Sequence, residues 1–464
     1  MIAATPLPPL RRPALAIARQ ALSILIGQLA VIGFAVADAV MVGRHASVDL
    51  AALAIGAAVY VSVYIGLTGV VQALIPIVGH HHGARNHDGV RRSFQQGVWL
   101  ALLLALPGFL LLQWPEPLLA LTQADAAVLE RTRAYLGWLA WALWPALLFR
   151  VYSSFNLGLS RPWFVTALQL GALGLKVALN AWLIGGGLGV PALGVVGCAL
   201  ATLLIQWALL LTAVGMLALH PAYRSLRLFR PWSPPHGPTL RELLHLGVPA
   251  GASVFFEVTG FTLMAIFIAR QGTTALAAHQ IAVSIGSTIY MLPLSIGIAT
   301  GALAAQALGA QQPVLARRIC VQGLALALGF ALLLGLTLGL ARTSAAALYS
   351  VDPAVLAIAP GLLLLVAAMQ LLDATQCVMS FALRAYRVAV LPALAYAFGL
   401  WGIGIGGGRW LAANAPAGWP PALSGPGAFW LMNIVALAAV CAVLVPLFQR
   451  VSRAKTADWG DGSR

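Results

Sequence analysis

The sequence predicts an all-α membrane protein of twelve transmembrane helices. They should form two six-helix lobes related by pseudo-two-fold symmetry along the membrane normal. Three observations predict this. The 464 residues are 61% hydrophobic and only 8% charged, whereas an average soluble domain is about one quarter charged. Apolar runs near the roughly 20 residues needed to cross hydrocarbon recur along the whole chain. Finally, the chain resembles itself at an offset of 226. Gly43–Ala52 and Ala269–Ala278 share an Arg and a Leu-Ala-Ala at matched positions, His82-Gly83-Ala84 falls on Leu308-Gly309-Ala310, and Ser160-Arg161 falls on Tyr386-Arg387. An even number of spans per half brings both halves into the membrane in the same direction, with a cavity expected where they meet.

The first half supplies six runs. The first, 20–42, carries Asp38, and the second, 50–79, contains Pro76 and leads into the basic stretch His80–Arg92. Runs three and four are 93–113 and 133–154, the latter holding Pro145 and Arg150. The fifth, 163–184, contains Lys176 and Asn180, and the sixth, 192–217, contains Thr202. A polar join from His220 to Arg241 follows, with Pro221, Pro231, Pro234, Pro235 and Pro238. It predicts a cytoplasmic linker at 219–242 between lobes at 1–218 and 243–464.

The second half repeats the pattern. Run seven, 243–269, holds Pro249 and Glu257; run eight, 275–305, holds His279 and Pro293. Run nine is 316–340, and run ten, 357–381, contains Asp373. Run eleven, 389–407, contains Pro392 and ends in the glycines 406–408; run twelve is 427–449. Prolines inside membrane helices permit bends where neighbours satisfy the freed carbonyl.

Charge sets the orientation. With the N-terminus placed inside, 19 Lys and Arg residues fall on the cytoplasmic side, including Arg11, Arg384 and Arg464, against 6 outside. This positive-inside bias predicts a multi-pass membrane protein with both termini cytoplasmic. It also accounts for the net charge of +15 without a nucleic-acid partner. The first 18 residues, with Pro6, Pro8, Pro9 and Pro13, form a short cytoplasmic lead-in with no signal-peptide pattern. Cys198, Cys320, Cys377 and Cys441 are isolated and suit core packing. His80-His81-His82 with His87 suits a solvated basic loop better than a metal site. The Gly185–Gly187 and Gly406–Gly408 runs lack the context of a phosphate loop. No cofactor is expected, and without a nucleotide motif the driving force is an ion gradient.

Of twelve carboxylates, only Asp38, Glu257 and Asp373 lie inside long apolar stretches. A carboxylate at bilayer depth costs roughly 2.5–3.5 kcal/mol on insertion scales, so it is usually retained for a task such as cation binding or proton relay. Around Glu257 and Asp373 the sequence offers Phe255, Phe256, Phe261, Tyr290, Met291 and Met369, with Gln280 nearby, as an adaptable cavity lining. Few acids in an apolar wall favour lipophilic cations as small-molecule partners.

Gly33–Gly43, with Asp38 at its centre, resembles the first-helix signature of the multidrug and toxic compound extrusion family. Pro249 through Phe255-Phe256-Glu257-Val258 is similar to the seventh-helix signature of its NorM-like branch. Ala277-Ala278-His279-Gln280 with Pro293–Gly297 resembles the eighth, and Asp373–Gln376 with Leu383–Tyr386 the tenth. The resemblance spans essentially the whole chain. It implies efflux of amphipathic organic cations, by a monomer among membrane lipids, in exchange for inward Na⁺ or H⁺. It further implies coupling at Glu257, Asp373 and Asp38, with Asn180 and Thr202 supporting Asp38. Three departures matter. Ile184 replaces an acid found in some relatives, no proline lies between Pro13 and Asp38, and Met369 stands where some Na⁺-linked relatives have tyrosine.

Lys176 lies midway along run five, one helical turn before Asn180. Its ammonium is expected to neutralise Asp38. Two other functions compete. A flippase for anionic lipid-linked precursors would need more cavity cations than Lys176. An intramembrane enzyme would need clustered nucleophiles, histidines or metal ligands at depth, where only His279 is found.

Overall fold

The computed structural model describes residues 12–120, 125–187, 189–414, 419 and 423–461, with side chains to Ala457. Pro6, Pro8, Pro9 and Arg11 of the lead-in, and Arg464, lie outside the described residues. Among the described residues, twelve helices are long and apolar enough to cross a membrane. They are α1 (Pro13–His45), α2 (Ser47–Gly83), α3 (His87–Gln113), α4 (Ala126–Gly158), α5 (Pro162–Gly185), α6 (Gly194–Leu219), α7 (Gly237–Ala269), α8 (Thr273–Gly309), α9 (Pro313–Ala347), α10 (Pro353–Ala385), α11 (Val390–Ala413) and α12 (Pro426–Ala457). Among the described residues there is no strand beyond a single bridge, Gly187 to Val190.

Local chemistry sets the ends. Asn86 caps α3 by accepting the Gly89 N–H at 2.8 Å, and Asp352 caps α10 by accepting the Ala354 N–H at 2.9 Å. Pro162, Pro313 and Pro353 open α5, α9 and α10, where a missing N–H costs nothing. Past the ends of α2 and α8, Arg85 (φ 52°) and Gln311 (φ 58°) adopt left-handed backbone at positions 226 apart. The repeat is therefore written in backbone conformation as well as in side chains.

Large apolar residues such as Leu103, Leu211, Leu333 and Leu340 are exposed on the helix faces. In water that would be costly, but against lipid it costs nothing. The helices pack through small residues instead. Gly297 and Gly301 of α8 lie against Phe381 of α10, close enough that a Cβ at Gly301 would sit 2.9 Å from the Phe381 carbonyl oxygen.

The chain separates into two compact units. One is Leu22–Gly251; the other runs from Ala252 onward and includes the start of α1 up to Ala21. In the first unit, the segment after α6 lies against α3. Gln95 Nε2 donates to the carbonyls of Leu228 (2.8 Å) and Pro231 (2.9 Å), and its Oε1 accepts from Ser233. Gln96 holds the Pro234 carbonyl and the His236 N–H, and the Trp99 indole donates to the Ser233 carbonyl. Helix α7 begins at Gly237, six residues before the apolar run begins. Its Gly247 meets Val70 so closely that a Cβ there would lie 2.5 Å from the Val70 carbonyl oxygen.

In the second unit, α11 contains a π-helical stretch, Ala397–Gly407. Five glycines in eleven residues make the wide turn accessible.

Candidate coupling sites

The first unit gathers α1, α5 and α6 around Asp38. Lys176 and Asn180 share one face of α5, and Cys198 and Thr202 share one face of α6, each pair one turn apart. Lys176 Nζ lies 3.1 Å from Asp38 Oδ1 and donates to Thr202 Oγ1 at 2.5 Å. Asn180 Nδ2 donates to the same Asp38 oxygen at 2.7 Å, and Cys198 lies within electrostatic reach of Asp38. Lys176 is 2% exposed and Asp38 15%. The Thr202 hydroxyl donates to the Cys198 carbonyl (2.9 Å), which leaves its oxygen free to accept from the ammonium. Asn180 Oδ1 is buried without a partner. All the residues named for this site are thus brought together, with Lys176 at its centre.

The second unit gathers α7, α8, α10 and α11 around two acids. Gln376, one turn beyond Asp373, donates to Asp373 Oδ1 at 2.9 Å and also lies within interaction reach of Glu257. Tyr290 is a second partner of Glu257. Gln370, Asp373, Gln376 and Ser380 recur every three or four residues, so they form one buried polar stripe on α10. A narrow crevice reaches Glu257 between Phe261, Met264, Leu400, Gly404, Phe429 and Asn433. The π-helical turn supplies Leu400 and Gly404.

The expected lining is only partly assembled there. Of those residues, Phe261 lines the crevice and lies near Trp430, with 6.0 Å between ring centroids. Met369 is buried beside it, its sulfur accepting from Asn433 at 3.4 Å. Phe255 and Phe256 instead flank Trp401, with Phe256 edge-on at 5.2 Å. Met291 is half-buried and Gln280 exposed, and neither lines the crevice. Composition around the acids is readable from the chain; the helix rotation that sorts one face from another is not.

Two other expectations change. Arg384, counted above among cytoplasmic charges, is only 7% exposed. It lies within electrostatic reach of Glu257, Tyr290 and Tyr396, with its guanidinium 4.8 Å from the Phe381 ring centroid. The helix carries it inward because α10 continues to Ala385, four residues past the apolar run. His80–His82 form the last turn of α2 rather than a loop. No group of three or more His, Cys, Asp or Glu residues suited to a metal occurs among the described residues.

Sequence reasoning missed Tyr396 of α11, which lies within electrostatic reach of Glu257 and Arg384 in the same cluster. It also missed Asp49, which falls between runs one and two. Asp49 is 2% exposed, pairs with Arg131 and lies 3.7 Å from His45 Nε2. Gly194 (φ 55°) fits against it without a side chain.

The MatE family pattern matches twice, over residues 23–182 and 249–408, the two stretches standing 226 residues apart. The chain belongs to the MatE family. It is thereby a membrane transporter and not an enzyme. The probable multidrug resistance protein NorM of Aromatoleum aromaticum is 42% identical over 414 residues, covering 89% of each chain. The multidrug resistance protein PmpM of Pseudomonas aeruginosa is 33% identical over 431 residues, covering 93% of this MatE protein and 90% of PmpM. Among solved structures, the eukaryotic MATE transporter AtDTX14 superposes with a TM-score of 0.83 at 19% identity, covering 97% of this chain and 99% of the other. A mutant of the Vibrio cholerae MATE transporter VcmN gives 0.84 at 19% identity, with coverages of 95% and 97%. These structures share the twelve-helix, two-lobe fold of this MatE protein.

Proposed function

We propose that this MatE protein is a secondary active multidrug exporter that exchanges lipophilic organic cations for inward Na⁺ or H⁺. The observation that carries the reading is the second-unit cluster, in which Glu257 and Asp373 lie together around the Gln376 side chain, beneath an aromatic and methionine-containing crevice. Two carboxylates in a dry bundle can hold a monovalent cation or a proton, and each option relieves like-charge repulsion. Arg384 offsets one negative charge of the pair, which leaves the other for the coupling ion. The relatives named multidrug resistance proteins support drugs as cargo, and the two acids favour cationic ones. Transport would proceed by alternating access of lobes 1–218 and 243–464, in the inner membrane, with both termini cytoplasmic and the protein acting as a monomer. The flippase reading lacks comparable support, because Lys176 is committed to Asp38.

Reconstitution into liposomes with Na⁺ and H⁺ gradients imposed separately tests this. One of the two gradients should drive accumulation of an ethidium-like dye, and other lipophilic monocations should compete for it. Equal competition by anionic dyes would contradict the proposed cargo.

A further inference from the structure

The Asp38 site is built like a site for a small hard cation, yet its occupant is part of the chain. Asp38 Oδ1 and Thr202 Oγ1 both face the Lys176 ammonium, at 3.1 and 2.5 Å. Carboxylate, hydroxyl and amide oxygens are the donors that hard monovalent cations take. The amide oxygen is present as well: Asn180 is fully buried, and its Oδ1 has no partner. A buried polar atom without a partner is uncommon in a folded protein. The other titratable groups within electrostatic reach of Asp38 are Tyr135 and Cys198. Lys176 is almost wholly buried midway along α5, so its ammonium cannot reach a headgroup by snorkelling. A second monovalent cation beside it would meet like-charge repulsion at contact distance in a medium that screens poorly.

We infer that Lys176 is the tethered cation of the Asp38 site. It keeps that site closed to cations from solution and confines ion coupling to Glu257 and Asp373. Lys176 is then a specificity-determining residue for ion binding, although it touches neither the drug nor the coupling ion. The inference deepens the transport reading above, because it specifies which of the two acid sites exchanges its ion. It also makes removal of Lys176 a gain of binding: the freed oxygens of Asp38, Thr202 and Asn180 should admit a cation from solution.

Equilibrium binding to purified protein tests this without any transport step, so failure here is distinguishable from failure of the efflux reading. Glu257→Gln, Asp373→Asn protein removes the second-unit acids and serves as the background. Radioactive Na⁺ is measured at mildly alkaline pH, and infrared spectroscopy reports protonated carboxyl groups. The background protein should bind no Na⁺ and show no protonated Asp38. Adding Lys176→Ala should produce uptake of about one cation per chain, seen either as bound Na⁺ or as a protonated carboxyl, and adding Asp38→Asn should abolish it. Where Lys176→Ala does not fold, Lys176→Gln keeps most of the volume, supplies another oxygen, and carries the same expectation. Asp38-dependent Na⁺ binding with Lys176 intact would overturn the inference. So would a folded Lys176 variant whose Asp38 stays ionised and free of Na⁺.

Discussion

Asp38 and Lys176 form a buried pair, and such pairs are sensitive to loss of one member. Removing one partner leaves an uncompensated charge, at a cost of roughly 3–5 kcal/mol, whereas removing both often costs little. Lys176→Met should therefore lower thermal stability in detergent clearly more than Asp38→Asn with Lys176→Met does. Equal or greater loss in the double variant would show that the two charges do not stabilise one another. Asp49 presents the contrasting case, because its partner Arg131 is about half exposed. Water can solvate the guanidinium once the acid is gone, so Asp49→Asn should cost only about 1–2 kcal/mol, near the lower range for a lost charged hydrogen bond. A thermal melt gives the loss, and a collapse of the fold would point to a larger role for the turn between α1 and α2. The three intramembrane acids were legible in the sequence because a carboxylate within an apolar run is rare. Arg384 was not, since the end of an apolar run does not reveal how far the helix continues.

At the scale of helices, hydropathy located all twelve spans, with ends that moved by a few residues wherever polar turns continued the helix. It could not show what Gln95 and Gln96 do. Their side-chain bonds to the 228–236 segment join parts of the chain that are distant in sequence, and periodicity is blind to such contacts. The segment reads as a flexible join because of its prolines. In the structure it is fastened to α3, and its prolines leave carbonyls free for glutamine amides to bind. Replacing both glutamines with alanine would strand several buried backbone groups at about 1–3 kcal/mol each. Limited proteolysis should then cut at 228–236 far faster than in the parent, while the helical circular dichroism stays unchanged. Unchanged cleavage would mean the segment is held elsewhere. The π-helical turn of α11 was equally hidden. Its glycines signalled flexibility, and only the packed structure shows Leu400 and Gly404 turned toward Glu257.

For the whole molecule, the central feature is an asymmetry between two otherwise repeated halves. The sequence repeat at 226, echoed by the left-handed residues Arg85 and Gln311, was visible without coordinates. The division of charge was not, because it depends on which side chains meet. One acid site is neutralised internally by Lys176. The other holds two acids, Glu257 and Asp373, with one guanidinium nearby, and on the proposed reading this leaves one negative charge for a coupling ion. The most direct test is gradient-driven dye efflux by proteoliposomes containing Glu257→Gln, Asp373→Asn protein, matched to wild type for expression and folding. The amides preserve volume and hydrogen-bonding capacity, so the fold should survive. Dye binding should persist while efflux driven by either a Na⁺ or a H⁺ gradient falls at least tenfold. Efflux at the wild-type rate under the same gradient would contradict a coupling role for the two acids.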